Sequence, residues 1–231
     1  MTALLTAELT KIRSLPAVWI AWALTVVSNT VLGVAAATDV VRVASAAGEV
    51  TVGQLGTLML APVYVFIAIA VLAAGTEYRG GQLRVSLTAV PDRSRWFGAK
   101  LAVSAAVALA AAVPAVLPGL LVRHGSAAEF GALLTGYLLL SLVGFGFAFL
   151  ARAFVTPLVV LAVLPILVST TVGGLVPKAT RILPHEATLS LLGQPADPAT
   201  ALGRGTGLLV LLGWAALFVG GSWVLVVRRD T

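Results

Sequence analysis

Six stretches of the chain, at residues 18–37, 57–75, 101–122, 130–151, 155–176 and 207–227, contain no Asp, Glu, Lys or Arg. Each is close to the roughly 20 residues that a helix needs to cross a hydrocarbon layer about 30 Å thick. A single charge at the centre of such a helix costs about 2.5–3.5 kcal/mol to insert. A helix in a water-soluble core keeps one charged face, and none of these has one. Hydrophobic residues make up 59% of the chain and charged residues 10%, against roughly 25% charged in soluble domains. So little charge cannot cover a surface in water, whereas a bilayer demands an apolar exterior.

The pattern predicts an all-α integral membrane protein, with residues 1–231 forming one transmembrane domain of about six spans. Only Arg152, Ala153 and Phe154 separate the fourth and fifth runs. Arg152 and Pro157 favour a break there, with one long bent helix as the alternative. With the N-terminus inside, ten Lys and Arg residues fall on inner segments and five on outer ones. The positive-inside rule then places both termini in the cytoplasm of a cell (plasma or inner) membrane protein. The first run, at about 20 residues, exceeds the 7–15 of a signal-peptide core, so it is expected to remain as a span. A net charge of +6 can signal nucleic-acid binding. Here the basic residues sit in short links between apolar runs, which is the anchoring pattern, and no nucleic-acid partner is expected.

Residues 1–16 predict a short helix on the inner membrane surface. Leu5, Leu9 and Ile12 recur at i, i+4 and i+7, Glu8, Lys11 and Arg13 point elsewhere, and Pro16 stops it. Pro62, Pro114, Pro118, Pro157 and Pro165 lie within spans and predict kinks. Gly33/Ala37, Gly144/Ala148, Gly203/Gly207 and Ala216/Gly220 are small pairs at a spacing that lets helices approach closely. Polar side chains within spans are mild. Asn29, Tyr64, Ser141, Ser169, Thr170 and Thr171 are candidates to line a pathway, and the same residues suit hydrogen bonds between helices.

Chemistry is sparse. Without cysteine there is no disulfide, thiolate metal site or cysteine nucleophile. His124 and His185 fall in expected outer loops, and no catalytic or metal-ligating cluster emerges. The spans lack the ionisable groups that proton pumps and ion-coupled carriers use. No phosphate-binding loop is present, since Gly80-Gly81 is followed by Gln82-Leu83-Arg84. The chain is therefore expected to bind no cofactor and to be no enzyme itself.

The richest polar segment is the link at residues 76–100. Leu83, Leu87 and Val90 share one helical face, and Pro91 ends that helix. Arg93 and Arg95 would approach lipid headgroups, with Trp96 as an interfacial anchor. A stiff, basic helix between two spans makes a good lever for a cytoplasmic partner.

In the order of these parts the chain resembles the permease subunits of type-2 ABC exporters. A surface helix carrying Glu8-Leu9-Thr10-Lys11 precedes two spans. Glu77, Gly80-Gly81, a short helix, Pro91, Arg93 and Ala99-Lys100 then lead into the third span. Segment 177–206 is similar to the family's short extracellular helices. Gln82 departs from the threonine many members carry. The resemblance implies that the segment after the second span is a coupling helix docking on a separate ATPase chain, which binds ATP and Mg. Its contact residues would be Glu77, Tyr78, Arg79, Gly80, Gly81, Leu83, Arg84, Leu87, Pro91 and Arg93. Leu5, Glu8, Leu9, Lys11 and Ile12 would form the interfacial helix, and a second permease subunit, identical or not, would complete the pathway. A non-transporting membrane scaffold or assembly factor is the alternative, and an intramembrane lipid enzyme a more distant one.

Overall fold

The computed structural model describes residues 1–38, 42–45, 48–167, 177–195 and 201–228. Helix α1 (Thr2–Arg13) is followed after Pro16 by α2 (Pro16–Thr38). A short antiparallel hairpin, β1 (Arg42–Ser45) and β2 (Gly48–Thr51), pairs Arg42 with Thr51. It is the one departure from helical structure among the described elements. The next rod is broken into α3 (Gly56–Leu60), α4 (Pro62–Phe66) and α5 (Ala68–Gly75), ending in a 3-10 turn over Thr76–Tyr78. Pro62 causes the first break, because it has no N–H to donate to the preceding turn.

The link to the next rod carries α6 (Gln82–Ala89). Helices α7 (Arg93–Val122), α8 (Ala127–Ala151) and α9 (Val155–Leu167) follow. Two short helices, α10 (Pro177–Thr180) and α11 (Pro184–Leu192), precede α12 (Arg204–Arg228). Five helical segments are long and apolar enough to cross a membrane: α2, the broken rod Gly56–Tyr78, α7, α8 and α12. Most of the fifth expected span is α9, and residues 168–176 lie outside the described residues.

Helix α7 begins eight residues before its expected span. The Asp92 carboxylate accepts a hydrogen bond from the Arg95 amide at 2.9 Å, which caps the helix immediately after Pro91. Its first turns therefore carry Trp96 and Lys100 inward. Trp96 is 1% exposed and stands edge-on to Phe149, 6.0 Å between centroids. This corrects the expectation of Trp96 as an interfacial anchor. Pro114 and Pro118 both lie inside α7 without dividing it. Helix α8 ends at Arg152, which adopts a left-handed conformation (φ 52°). The break between α8 and α9 thus falls on Arg152–Phe154, and the single bent helix is not formed.

The broken rod and α8 form the centre of the bundle. In each, 61% of the most apolar window is buried, against 17% in α2 and α12, which lie at the periphery. Phe97, Phe145 and Phe149 pack with centroids 5.1–5.7 Å apart near one end. Small residues set the helix crossings. A β-carbon on Gly33 would fall inside the contact shell of the Gly119 backbone, and one on Gly119 would overlap Asn29. Helices α2 and α7 therefore touch backbone to backbone. Gly144 receives the Ile67 side chain in a similarly tight contact, whereas Gly220 has open space beside it.

Replacing Gly119 by Ala should separate α2 from α7 at a destabilisation of about 1–3 kcal/mol. The measurement is thermal unfolding in detergent: Gly119→Ala melts several degrees lower, while Gly220→Ala melts with the parent protein.

Candidate functional site

Four charges meet at the end of the bundle where α1, α6 and the start of α7 converge. The Lys100 ammonium donates to Glu8 Oε2 at 2.5 Å and stands 2.9 Å from Glu77 Oε1. It also donates to the Ala73 carbonyl at 3.2 Å and lies 5.5 Å from the Trp96 ring centroid. Lys11 bridges the same two carboxylates, at 3.1 Å from Glu8 and 2.9 Å from Glu77. Ser86 closes the network from α6. Its hydroxyl accepts from Lys11 at 3.1 Å and donates to Glu77 Oε2 at 2.9 Å. Glu8, Glu77 and Lys100 are almost fully buried, and only the Lys11 side chain is substantially exposed, at 43%.

Two carboxylates against two ammonium groups leave no net charge, as a buried ionic network requires. Burial by itself would lower the Lys11 pKa. Its hydrogen bonds to Glu77 and Glu8 and their charges outweigh that, and the ammonium is held above the ordinary lysine value. The arrangement welds α1 to three segments of the stretch from Glu77 to Lys100. It leaves no carboxylate free for acid–base work. Among the described residues no group of His, Asp and Glu is placed to hold a metal.

The local conformation follows from the sequence between Glu77 and Ser86. Gly80 (φ 58°) and Gly81 (φ 76°) are both left-handed, a conformation that side chains with a β-carbon resist. They reverse the chain after the 3-10 turn and lay α6 back across the bundle end. Leu83, Leu87 and Val90 are half-buried and pack on the core. They attach α6 to the body of the protein. Val85, on the opposite face, is 71% exposed, the most exposed large apolar side chain among the described residues.

The other expected contact residues around α6 distribute as follows. The Arg79 guanidinium lies over the Phe154 ring, 5.2 Å from its centroid. Tyr78 stands edge-on to Phe149, and Arg93 donates to the Val226 carbonyl at 3.4 Å. Arg84 is exposed and, with Leu83, Leu87 and Arg152, lines a cavity of about 320 Å³ between α6, α8 and α12. Pro91 sits in the exposed bend before α7. Glu77 is not a surface contact, because the network engages both of its oxygens.

On α1, Ile12 is buried and Leu5 half-buried, but Leu9 is exposed, so the inward face is not the expected one. Glu8 occupies that face instead, because Lys100 neutralises it. Glu8 and Lys11 were expected to point away from the apolar face, and it is they that tie α1 down. Sequence reasoning missed Ser86 as a member of this network and named Lys100 only as part of the entry to the third span, without its partners. A lysine four residues after Trp96, at the mouth of an apolar helix, is the signal that a buried partner is required.

Of the proposed lining residues, Asn29 and Tyr137 hydrogen-bond across α2 and α8 at 2.9 Å. Asn29 also borders a void of about 20 Å³. Tyr64 hydrogen-bonds His185 Nδ1 at 2.5 Å. Ser141 is buried, and Ser169, Thr170 and Thr171 lie outside the described residues. His185 is thus a buried, hydrogen-bonded histidine on a short helix. It sits at the start of α11, 5% exposed, and burial pushes its imidazole down to about 4, which keeps it neutral.

Lys100→Met should leave two buried carboxylates sharing one half-exposed ammonium, at a cost of about 3–5 kcal/mol. The expected readout is a large drop in melting temperature that Glu8→Gln on the same chain partly restores. Lys11 supplies a pH test. With its folded-state pKa raised, its contribution is complete below the ordinary lysine value and disappears as pH climbs through the elevated one. The melting difference between the parent and Lys11→Met should stay constant across neutral pH and narrow only in strong alkali.

No protein-family model matches this chain, and no curated protein matches it.

Proposed function

We propose that this chain is the permease subunit of an ATP-driven exporter. A separate ATPase chain binds ATP and Mg, and a second permease subunit completes the pathway. Both termini and α6 face the cytoplasm, in keeping with the ten-to-five distribution of basic residues. That arrangement calls for a sixth crossing, and the placement of Phe154 and α11 fits one. Phe154 abuts Gly75 at the α6 end. Helix α11 lies at the opposite end, where Gly207 meets the Ala187 carbonyl and Gly56 meets Gln194.

The observation that carries the proposal is the pair of adjacent residues Val85 and Ser86. Most exposed apolar side chains of this protein lie on membrane-spanning helices, where lipid covers them. Val85 projects from a polar link outside those spans, where it is free to pack on another protein surface. Ser86, one position on, is hydrogen-bonded into the ionic network that grips α1 and α7. A force applied to the outer face of α6 therefore reaches the surface helix α1 and the start of the membrane helix α7. A membrane scaffold would not need that rigid connection.

The test is affinity purification of the tagged protein in mild detergent, with partners identified by mass spectrometry. An ATPase with a phosphate-binding loop should be recovered. Val85→Asp should lose it while melting like the parent, whereas Leu83→Asp should lose both partner and stability. Undiminished recovery with Val85→Asp would show that α6 does not make the contact.

A further inference from the structure

A groove faces the bilayer near the α6 end of the bundle, between α1, α2 and α7. It encloses about 290 Å³. Val18, Trp22, Ile69, Val107 and Ala110 are among the apolar side chains of its walls, and Arg13 is its one charged residue. Two hydrogen bonds hold its tryptophans in place. Trp22 Nε1 donates to the Ala111 carbonyl across the groove at 3.1 Å, and Trp19 Nε1 donates to the Arg13 carbonyl at 2.9 Å. The two rings meet edge to face, 6.2 Å between centroids. With their polar edges satisfied, both present hydrocarbon to the space between the helices.

A cavity walled in this way repels water and accepts an apolar guest. It runs from Arg13 at the end of α1 inward along α7 as far as Pro114. Arg13 ends α1, and Ile69 lies two helical turns inward of Glu77 on the neighbouring rod. The Arg13 side chain is exposed at the headgroup level, and among the described residues no carboxylate pairs with it. Its fixed positive charge complements a phosphate whose acyl chain enters the groove below. Trp19 lies beside it at the depth where tryptophan favours the membrane interface.

We propose that this groove is a binding site for one anionic glycerophospholipid of the leaflet on the α1 side. One acyl chain lies against Trp22, Ile69 and Ala110, and the phosphate is held by Arg13. Such a lipid would fill the gap between α1 and the α2–α7 pair and brace α1 against the membrane. The site depends only on the chain being embedded in a bilayer and stands whatever the protein transports.

Native mass spectrometry of the detergent-purified protein tests this, using phosphatidylglycerol and phosphatidylcholine with identical acyl chains. The parent should retain phosphatidylglycerol in preference by about fivefold, the effect of one basic side chain near an anionic headgroup. Arg13→Gln should bind the two lipids equally. Ala110→Phe places a ring in the groove from an exposed position and should reduce retention of both. Equal retention of the two lipids by the parent, an unchanged preference in Arg13→Gln, or full retention in Ala110→Phe would each overturn the site.

Discussion

The charge balance among Glu8, Lys11, Glu77 and Lys100 is the constraint on which the α6 end of the protein depends. Burying any one of these groups alone would be strongly unfavourable, so none of the four segments can take its position without the others. The Lys100 ammonium, 2% exposed, makes α7 extend as helix below its membrane span. Glu8 then draws α1 against the bundle, although Leu9 is left outside. Glu77 ends the second rod, and Ser86 ties α6 to the same point. A purely apolar contact would tolerate sliding. Directed hydrogen bonds among four segments set one relative placement, which is the usual reason to keep charges in a low-dielectric site.

Within the bundle a different constraint acts. Lipid is as apolar as the side chains, so burying leucine between helices gains little, and close packing has to supply the association. The crossings accordingly fall where a glycine lets two backbones meet, as Gly33 and Gly119 do, or makes room for a side chain, as Gly144 does for Ile67. Asn29–Tyr137 and Tyr64–His185 add hydrogen bonds across helices where an unpaired polar group would be expensive. The span hydroxyls of Thr25, Ser28, Thr30 and Thr135 instead turn back to the carbonyls of their own helices, so the bonds across helices rest on a few aromatic and amide side chains.

The spans were legible because hydrocarbon imposes length and composition on each helix separately. Residues 18–37 lie in Pro16–Thr38, 130–151 in Ala127–Ala151, and 207–227 in Arg204–Arg228. The helix after Gly80-Gly81 was legible from the spacing of Leu83 and Leu87. What could not be read were partners across the fold. Glu8 and Lys100 are 92 positions apart, and nothing in either neighbourhood says that they touch. By local pattern Glu8 belongs on a polar face and Trp96 at an interface. Tertiary pairing reverses both, because a carboxylate matched by a buried ammonium no longer needs water, and the ring beside that ammonium is drawn in with it. His185 escaped for the same reason, its partner Tyr64 lying on a distant rod. The small pairs were half legible: Gly33 and Gly144 mark real crossings, while Gly220 faces open space, since spacing alone does not say which side of a helix meets a neighbour.

Residues 85 and 86 join these two levels. On an eight-residue helix, adjacent side chains point about 100° apart, so Val85 faces outward while Ser86 faces the ionic network. Leu83 and Leu87, flanking them, hold the helix down on the core. A helix fastened on one side by apolar contacts and hydrogen bonds moves as a unit when its other side is pressed. The displacement is then shared with Glu77 at the end of one rod and Lys11 on α1, and through both carboxylates with Lys100 at the start of α7. A flexible link carrying the same residues would absorb that displacement. Gly80 and Gly81 permit the tight reversal that keeps α6 against the bundle, and Asp92 starts α7 three residues after α6 ends, so little slack remains at either end of α6.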